Sequence, residues 1–319
     1  MAVLQPCQQA VRGPQRPDFS LETVEAMSQM TLKSHRLMGV LLCAASISFV
    51  LMSQVQAAET DAQSNRIKIE YFDPPNPALR GVYELVKKRR TLERIQEVFS
   101  PFRLPIELII RTGSCEGAAN AWYNRPAVSV CYEYIDQILQ SLPAEPTPEG
   151  VTREDAVTGE TFYVLAHEMG HATFDLFTVP MLGDREAAAD HFAGYMMLQF
   201  GREQARALIL GAAYTYNNYM QNPQVMAPLK AFSDIHGAPE QRYYNLLCLA
   251  YGADPTLFAD VVTKGHLPKS RAVDCKREYD QVAYAFREFM APHLDHQLEK
   301  QVLDKAWLPE IKAPDLSRD

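Results

Sequence analysis

The sequence predicts an α+β fold, with a small strand-bearing N-terminal lobe, a mostly helical C-terminal lobe, and one helix carrying His-Glu-x-x-His between them. Three observations predict it. Strand-length apolar or alternating segments are confined to residues 67–130. From about residue 154 the apolar periodicity is almost wholly helical. The segment Thr161-Phe-Tyr-Val-Leu-Ala-His167-Glu168-Met-Gly-His171 joins the two parts and sets two imidazoles four residues apart in an apolar stretch.

Taken in order, residues 67–72 alternate and read as a strand ended by Asp73-Pro-Pro. Residues 79–98 have helical periodicity and stop before Pro101. A second strand is expected over 104–111 and a third over 121–130, the latter interrupted at Asn124-Arg-Pro126. A helix over 132–142 leads into a Pro-rich loop at 143–150, and the His-Glu-x-x-His helix is expected over 154–177. Pro180 and Gly183 break it, and Asp184 is the N-cap of the next helix, 186–200. Further helices are expected over 203–219, 240–251 and 274–290, punctuated by Pro255 and Pro268. There is no internal repeat or low-complexity tract.

Four residues on a helix are slightly more than one turn, so His167 and His171 project from one face and can share a metal ion. Glu168 lies beside that face, placed to take a proton from an activated water. A catalytic zinc site draws three ligands from protein. Glu186 and Asp190 are again four apart on the following helix. Glu186 is the expected third ligand, and Asp190 the residue that accepts a hydrogen bond from a ligating imidazole and fixes its tautomer. The plainer reading makes Glu186 and Asp190 an acidic first turn favoured by the helix dipole. Asp175, Asp184 and His191 are competing ligands. A longer zinc pattern, with Gly and a third His soon after the motif, is not met, because Phe174 and Phe177 occupy those places.

With E-x-x-x-D following H-E-x-x-H, the chain resembles the gluzincin type of metallopeptidase. It is similar to a bacterial family of exported metallopeptidases that is largely a domain of unknown function. The matching features are Cys115-Glu-Gly-Ala-Ala-Asn120-Ala-Trp-Tyr123, the metal motif, Gln241-Arg-Tyr-Tyr-Asn245-Leu-Leu-Cys248 and Arg271-Ala-Val-Asp-Cys275. The resemblance covers about residues 66–295 and implies a zincin-like fold with one Zn2+. A more distant similarity is to HtpX-like and CAAX prenyl proteases. Those carry an edge strand echoed by Asn120-Ala121-Trp122, and a His-to-Arg spacing kept here by His236 and Arg242, with Gly237 where Pro is usual. That similarity implies that His236 and Arg242 approach the metal and steady the oxyanion. For His236 the alternative is a polar loop residue.

Residues 1–57 read as an N-terminal extension and signal peptide, leaving 58–319 as the zincin-like domain. Lys33, His35 and Arg36 precede an apolar run from Leu37 to Met52, and Val55-Gln-Ala57 supplies an A-x-A-like cleavage end. Met27 or Met30 is the more natural start. An uncleaved anchor is the runner-up, though 16 residues fall short of the roughly 20 a spanning helix needs. The expected setting is periplasmic or secreted, with membrane contact only through such an anchor. Four cysteines follow the signal, an even number that suits disulfides in an exported chain. Three pairings are possible. Cys115–Cys131, across a hairpin, and Cys248–Cys275, across a helix-to-loop connection, are favoured.

The formal charge is -8, and Lys87-Lys-Arg-Arg90 is a short solvated face, so nucleic acid is not an expected partner. The expected partner is a peptide or protein substrate, paired along a strand at Ala121, Trp122 and Tyr123 by sheet-edge addition. The expected function is zinc-dependent hydrolysis of peptide bonds with Glu168 as general base. The alternatives are an inactive zinc-binding envelope protein that holds a peptide or partner, and a helical scaffold whose motif is accidental. Glu168 favours the enzyme, since a purely structural metal has no use for that carboxylate.

Overall fold

The computed structural model describes residues 66–148, 150–221 and 235–305, with side chains described except at 218–221. The expected extension and signal segment over 1–57 lie outside the described residues. Four strands form one sheet: β1 (Ile67–Tyr71), β2 (Leu108–Gly113), β3 (Ala121–Asn124) and β4 (Ala127–Cys131). Their order is β1-β2-β4-β3. β1, β2 and β4 run parallel, and β3 turns back antiparallel to β4 as an edge strand. β4 is buried along its whole length, as expected of a strand covered on both faces, whereas β3 alternates half-buried and exposed positions.

The expected third strand over 121–130 is therefore a hairpin. Arg125 and Pro126, joined by a cis peptide bond, form its turn. The expected strand over 104–111 begins later, at Leu108, since Pro105 has no N–H to give to a ladder. The expected helix over 79–98 is two, α1 (Arg80–Lys88) and α2 (Thr91–Val98). Arg90 between them has φ 53°, a left-handed conformation that ends one helix and starts the next.

The remainder is helical: α3 (Tyr132–Gln140), α4 (Arg153–Leu176), α5 (Arg185–Leu198), α6 (Arg202–Gln221), α7 (Pro239–Ala253), the short α8 (Ala259–Thr263) and α9 (Lys269–Ala272), α10 (Cys275–Phe289) and α11 (His296–Leu303). α8, α9 and α11 were not among the expected elements. Four or five residues carry no readable period, and α11 follows a Pro-containing turn. The protein is thus α+β, a small four-stranded sheet with a mostly helical remainder. No described helix is long and apolar enough to cross a membrane.

α4 is the central helix of the described residues. Thr152 caps it, accepting from the Asp155 N–H while Asp155 accepts from the Thr152 N–H, a capping box. It packs against α5 and α6 on one side and beneath β3 and β4 on the other. Most of its side chains are buried, which explains its weak amphipathic stripe: a helix apolar all round is a core helix. The crossing with α6 depends on glycine. A Cβ on Gly159 would lie 2.6 Å from the Ala212 nitrogen, and one on Gly211 would overlap the Asp155 carbonyl. Elsewhere in a helix Gly→Ala stabilises by up to about 1 kcal/mol. Here Gly211→Ala is expected to destabilise by about 1–3 kcal/mol through forced separation of α4 and α6. Urea denaturation checks the sign, and a raised midpoint would show that the crossing yields.

The two favoured disulfides are present, Cys115–Cys131 and Cys248–Cys275. The first ties the loop before β3 to the end of β4, and the second ties α7 to the start of α10. Both are consistent with an exported protein.

Candidate metal centre and its cleft

α4 places His167 and His171 one turn apart, as their spacing requires, and Asp184 caps α5 by accepting from the Glu186 and Ala187 N–H groups. The cap fixes the start of α5 so that Glu186, in its first turn, meets the two imidazoles. Glu186 Oε2 lies 3.1 Å from His167 Nε2 and 3.2 Å from His171 Nε2, and the two ring nitrogens are 3.2 Å apart. These three atoms form a nearly equilateral triangle. Ligands about 2.0–2.1 Å from one tetrahedral metal ion are separated by about 3.3 Å, so the triangle matches a three-residue metal face.

Asp190 completes the support one turn further along α5. Its Oδ1 is 2.7 Å from His167 Nδ1. An ionised carboxylate can only accept, so Nδ1 carries the hydrogen and Nε2 presents its lone pair to the triangle. Behind Asp190, Arg242 from α7 donates from Nε at 2.7 Å and from Nη2 at 2.6 Å. The guanidinium also lies 5.2 Å from the centre of the Tyr216 ring and 6.0 Å from that of Tyr163. Its charge is directed at Asp190, and through it at His167. The expected approach of Arg242 to an oxyanion beside the metal therefore becomes a supporting position behind the ligands, because the buried Asp190 carboxylate claims its fork. His236 does approach, with Nε2 3.4 Å from Glu186 Oε2 on a 43% exposed side chain.

The electrostatics favour a cation at the triangle. Glu186 is held down at about 2, chiefly by its hydrogen bond with His167. Burial opposes charge on His167, yet bonds to Asp190 and Glu186 raise it to about 9. Burial would also raise Asp190, but the Arg242 charge and the His167 bond hold it below the ordinary carboxylate range. His171, desolvated and next to His167, is shifted down, which keeps its ring neutral and able to ligate. A field that stabilises an extra proton on His167 stabilises a metal cation at the same point.

Glu168 is 5% exposed and its pKa is raised, first by burial and then by Glu186. The Tyr123 backbone beside it favours its charged form, so the edge strand adjoins Glu168. Ala121 lines the same cleft, Trp122 is 38% exposed, and the Tyr123 hydroxyl donates to Asp175 at 2.7 Å.

The three competing ligands all have other partners or surroundings. Asp175 holds Tyr123 and Arg125 of the hairpin, Asp184 is the cap, and His191 lines a separate cavity with Asn245, Arg271 and Glu278. The Arg271 guanidinium pairs with Glu278 there and reaches Asn245, bracing α7 against α10 beside the second disulfide.

The cleft has a volume of about 370 Å³ and is lined by His167, Glu168 and His236 and by Tyr134, Arg242 and the buried Glu160 and Tyr216. Sequence reading missed Glu160. The available signal was an acid seven residues before His167, on the same helix face, in an otherwise apolar stretch. Tyr216, one of three nearby tyrosines in α6, is buried against Tyr163 and Arg242, while Tyr214 lines a separate depression.

Residues 71–290, more than half of the chain, match the family model DUF4344, described as "Putative metallopeptidase". No curated protein and no solved structure matches the chain.

Proposed function

Since this chain belongs to the DUF4344 family, we propose that it is an exported zinc-dependent peptidase with a zincin-like arrangement of helix, edge strand and cleft. The observation that carries this reading is the convergence of His167 Nε2, His171 Nε2 and Glu186 Oε2 within 3.2 Å of one another, with Glu168 beside them. Two imidazoles and a carboxylate are a zinc donor set, and such an ion, when bound, acidifies a water molecule and polarises a carbonyl.

The chain's own residues supply the rest. Asp190 holds the His167 tautomer, and Arg242 holds Asp190. The β3 edge at Ala121–Tyr123 binds an extended substrate by backbone pairing, which tolerates many sequences. Glu168 takes a proton from the attacking water as the new C–O bond forms, and returns it to the amine as the C–N bond breaks. Burial raises its pKa, which makes it a stronger base than an exposed carboxylate. His236, on the open side of the triangle, donates to the developing oxyanion. The disulfides support an oxidising setting, and the signal segment proposed for residues 1–57 would deliver the chain there.

The test is elemental analysis together with hydrolysis of an unfolded protein. One zinc per chain is expected, with activity abolished by a chelator and restored by added zinc. Absence of stoichiometric metal from protein purified without chelator would overturn the proposal. A second reading, a peptide-holding protein without turnover, shares the same ligands. It predicts zinc and peptide binding but no cleavage.

A further inference from the structure

We infer that the part of the cleft lined by Glu160 is a subsite for a positively charged nitrogen of the substrate, an amine or a guanidinium, with Glu160 as its counter-charge. This rests on the peptidase reading and adds a substrate class to it. Glu160 stands on α4 seven residues before His167, on the same face and about 10 Å along the helix. It is 2% exposed, and with Glu168 it is one of two carboxylates that line the cleft among the described residues.

Its bonding is incomplete. The Tyr134 hydroxyl donates to Oε1 at 2.6 Å, but Oε2 has no hydrogen-bond partner among the described residues. Arg242, a cation beside it, is forked onto Asp190. A buried carboxylate kept only for structure is expected to be fully bonded, because an unpaired buried oxygen is costly. An acid left one partner short beside a substrate cleft fits a partner that arrives with the substrate.

The walls agree with that ligand. Tyr134, Tyr163 and Tyr216 line the cleft with Glu160, and aromatic rings beside a carboxylate favour a cationic nitrogen, as the Arg242 guanidinium over Tyr163 and Tyr216 shows. Burial holds the Glu160 acid up to about 7, so an entering cation supplies the charge that ionises it. An extended peptide advances about 3.3 Å per residue, so a group two or three residues from the reacting carbonyl reaches this depth.

The test uses zinc-loaded protein with Glu168→Gln, which holds peptides without cutting them. Matched labelled peptides carry Lys, Arg or norleucine at each of three positions on either side of one bond, with free or acetylated amino ends. Fluorescence anisotropy is expected to show Lys and Arg peptides binding about tenfold tighter than norleucine at one position, the scale of a charged hydrogen bond. Adding Glu160→Gln, which keeps shape and removes charge, is expected to bring that ratio to about one while zinc stays at one per chain. If acetylation abolishes the preference instead, the nitrogen recognised is the peptide's own amino end. Equal binding of Lys and norleucine at every position, or a preference that survives Glu160→Gln, would overturn the subsite and leave Glu160 a structural acid completed by water. Charge-selective binding that depends on Glu160, with no cleavage by the wild type, would uphold the subsite and remove the hydrolytic reading.

Discussion

Replacement of Glu168 by Gln is expected to slow peptide hydrolysis by roughly 10²- to 10⁴-fold, the range that a positioned general base contributes. Zinc should remain at one ion per chain. Gln has the size and shape of Glu, but its amide cannot take a proton at neutral pH. The variant keeps the triangle of His167, His171 and Glu186, because Glu168 is not one of its corners. Its own surroundings also tolerate the change. The Tyr123 backbone, which favours the charged form of Glu168, can equally accommodate the Gln carbonyl. Loss of turnover with retained metal would separate proton transfer from metal binding. Rates unchanged within a factor of two would take Glu168 out of the chemistry.

The second large effect is expected at Arg242. Arg242→Met removes both donors from Asp190, which is 9% exposed, and leaves a carboxylate with only His167 as partner. Breaking a buried pair from one side costs about 3–5 kcal/mol. Because part of the Arg242 side chain reaches solvent, the lower end, about 3 kcal/mol, is the expected loss. For a domain of this size that is a fall in Tm of roughly 6–12 °C. Zinc affinity should fall as well, by about 10- to 100-fold, since Asp190 fixes the His167 tautomer. Arg242→Lys restores the charge without the planar fork and should recover only part of both losses. An unchanged Tm together with unchanged zinc affinity would mean that Asp190 holds His167 without help.

Much of the metal centre was legible because it is written in local periods. The four-residue spacings of His167 with His171 and of Glu186 with Asp190 are helical neighbours whatever surrounds them. Asp184 reads as a cap because its side chain acts within its own turn. The long helices were legible for the same reason. The split at Arg90 was not: a left-handed backbone is uncommon at a residue other than glycine, and arginine gives no sign of it. The resemblance implied that His236 and Arg242 both approach the metal; His236 Nε2 lies 3.4 Å from Glu186 Oε2, whereas Arg242 is turned to Asp190.

By itself, then, the sequence determined the α+β division, the helix faces that bring a metal triangle within reach, and the preference for two particular cysteine pairs. These follow from periodicity, caps and composition, which act over a few residues. Only the tertiary structure decided that Arg242 stands behind Asp190, that α4 and α6 touch through Gly159 and Gly211, and that Glu160 lines a cleft with one oxygen unmatched among the described residues. Those facts depend on partners some 50 residues away, and a side chain's neighbours, unlike its helix face, are fixed only when the chain packs.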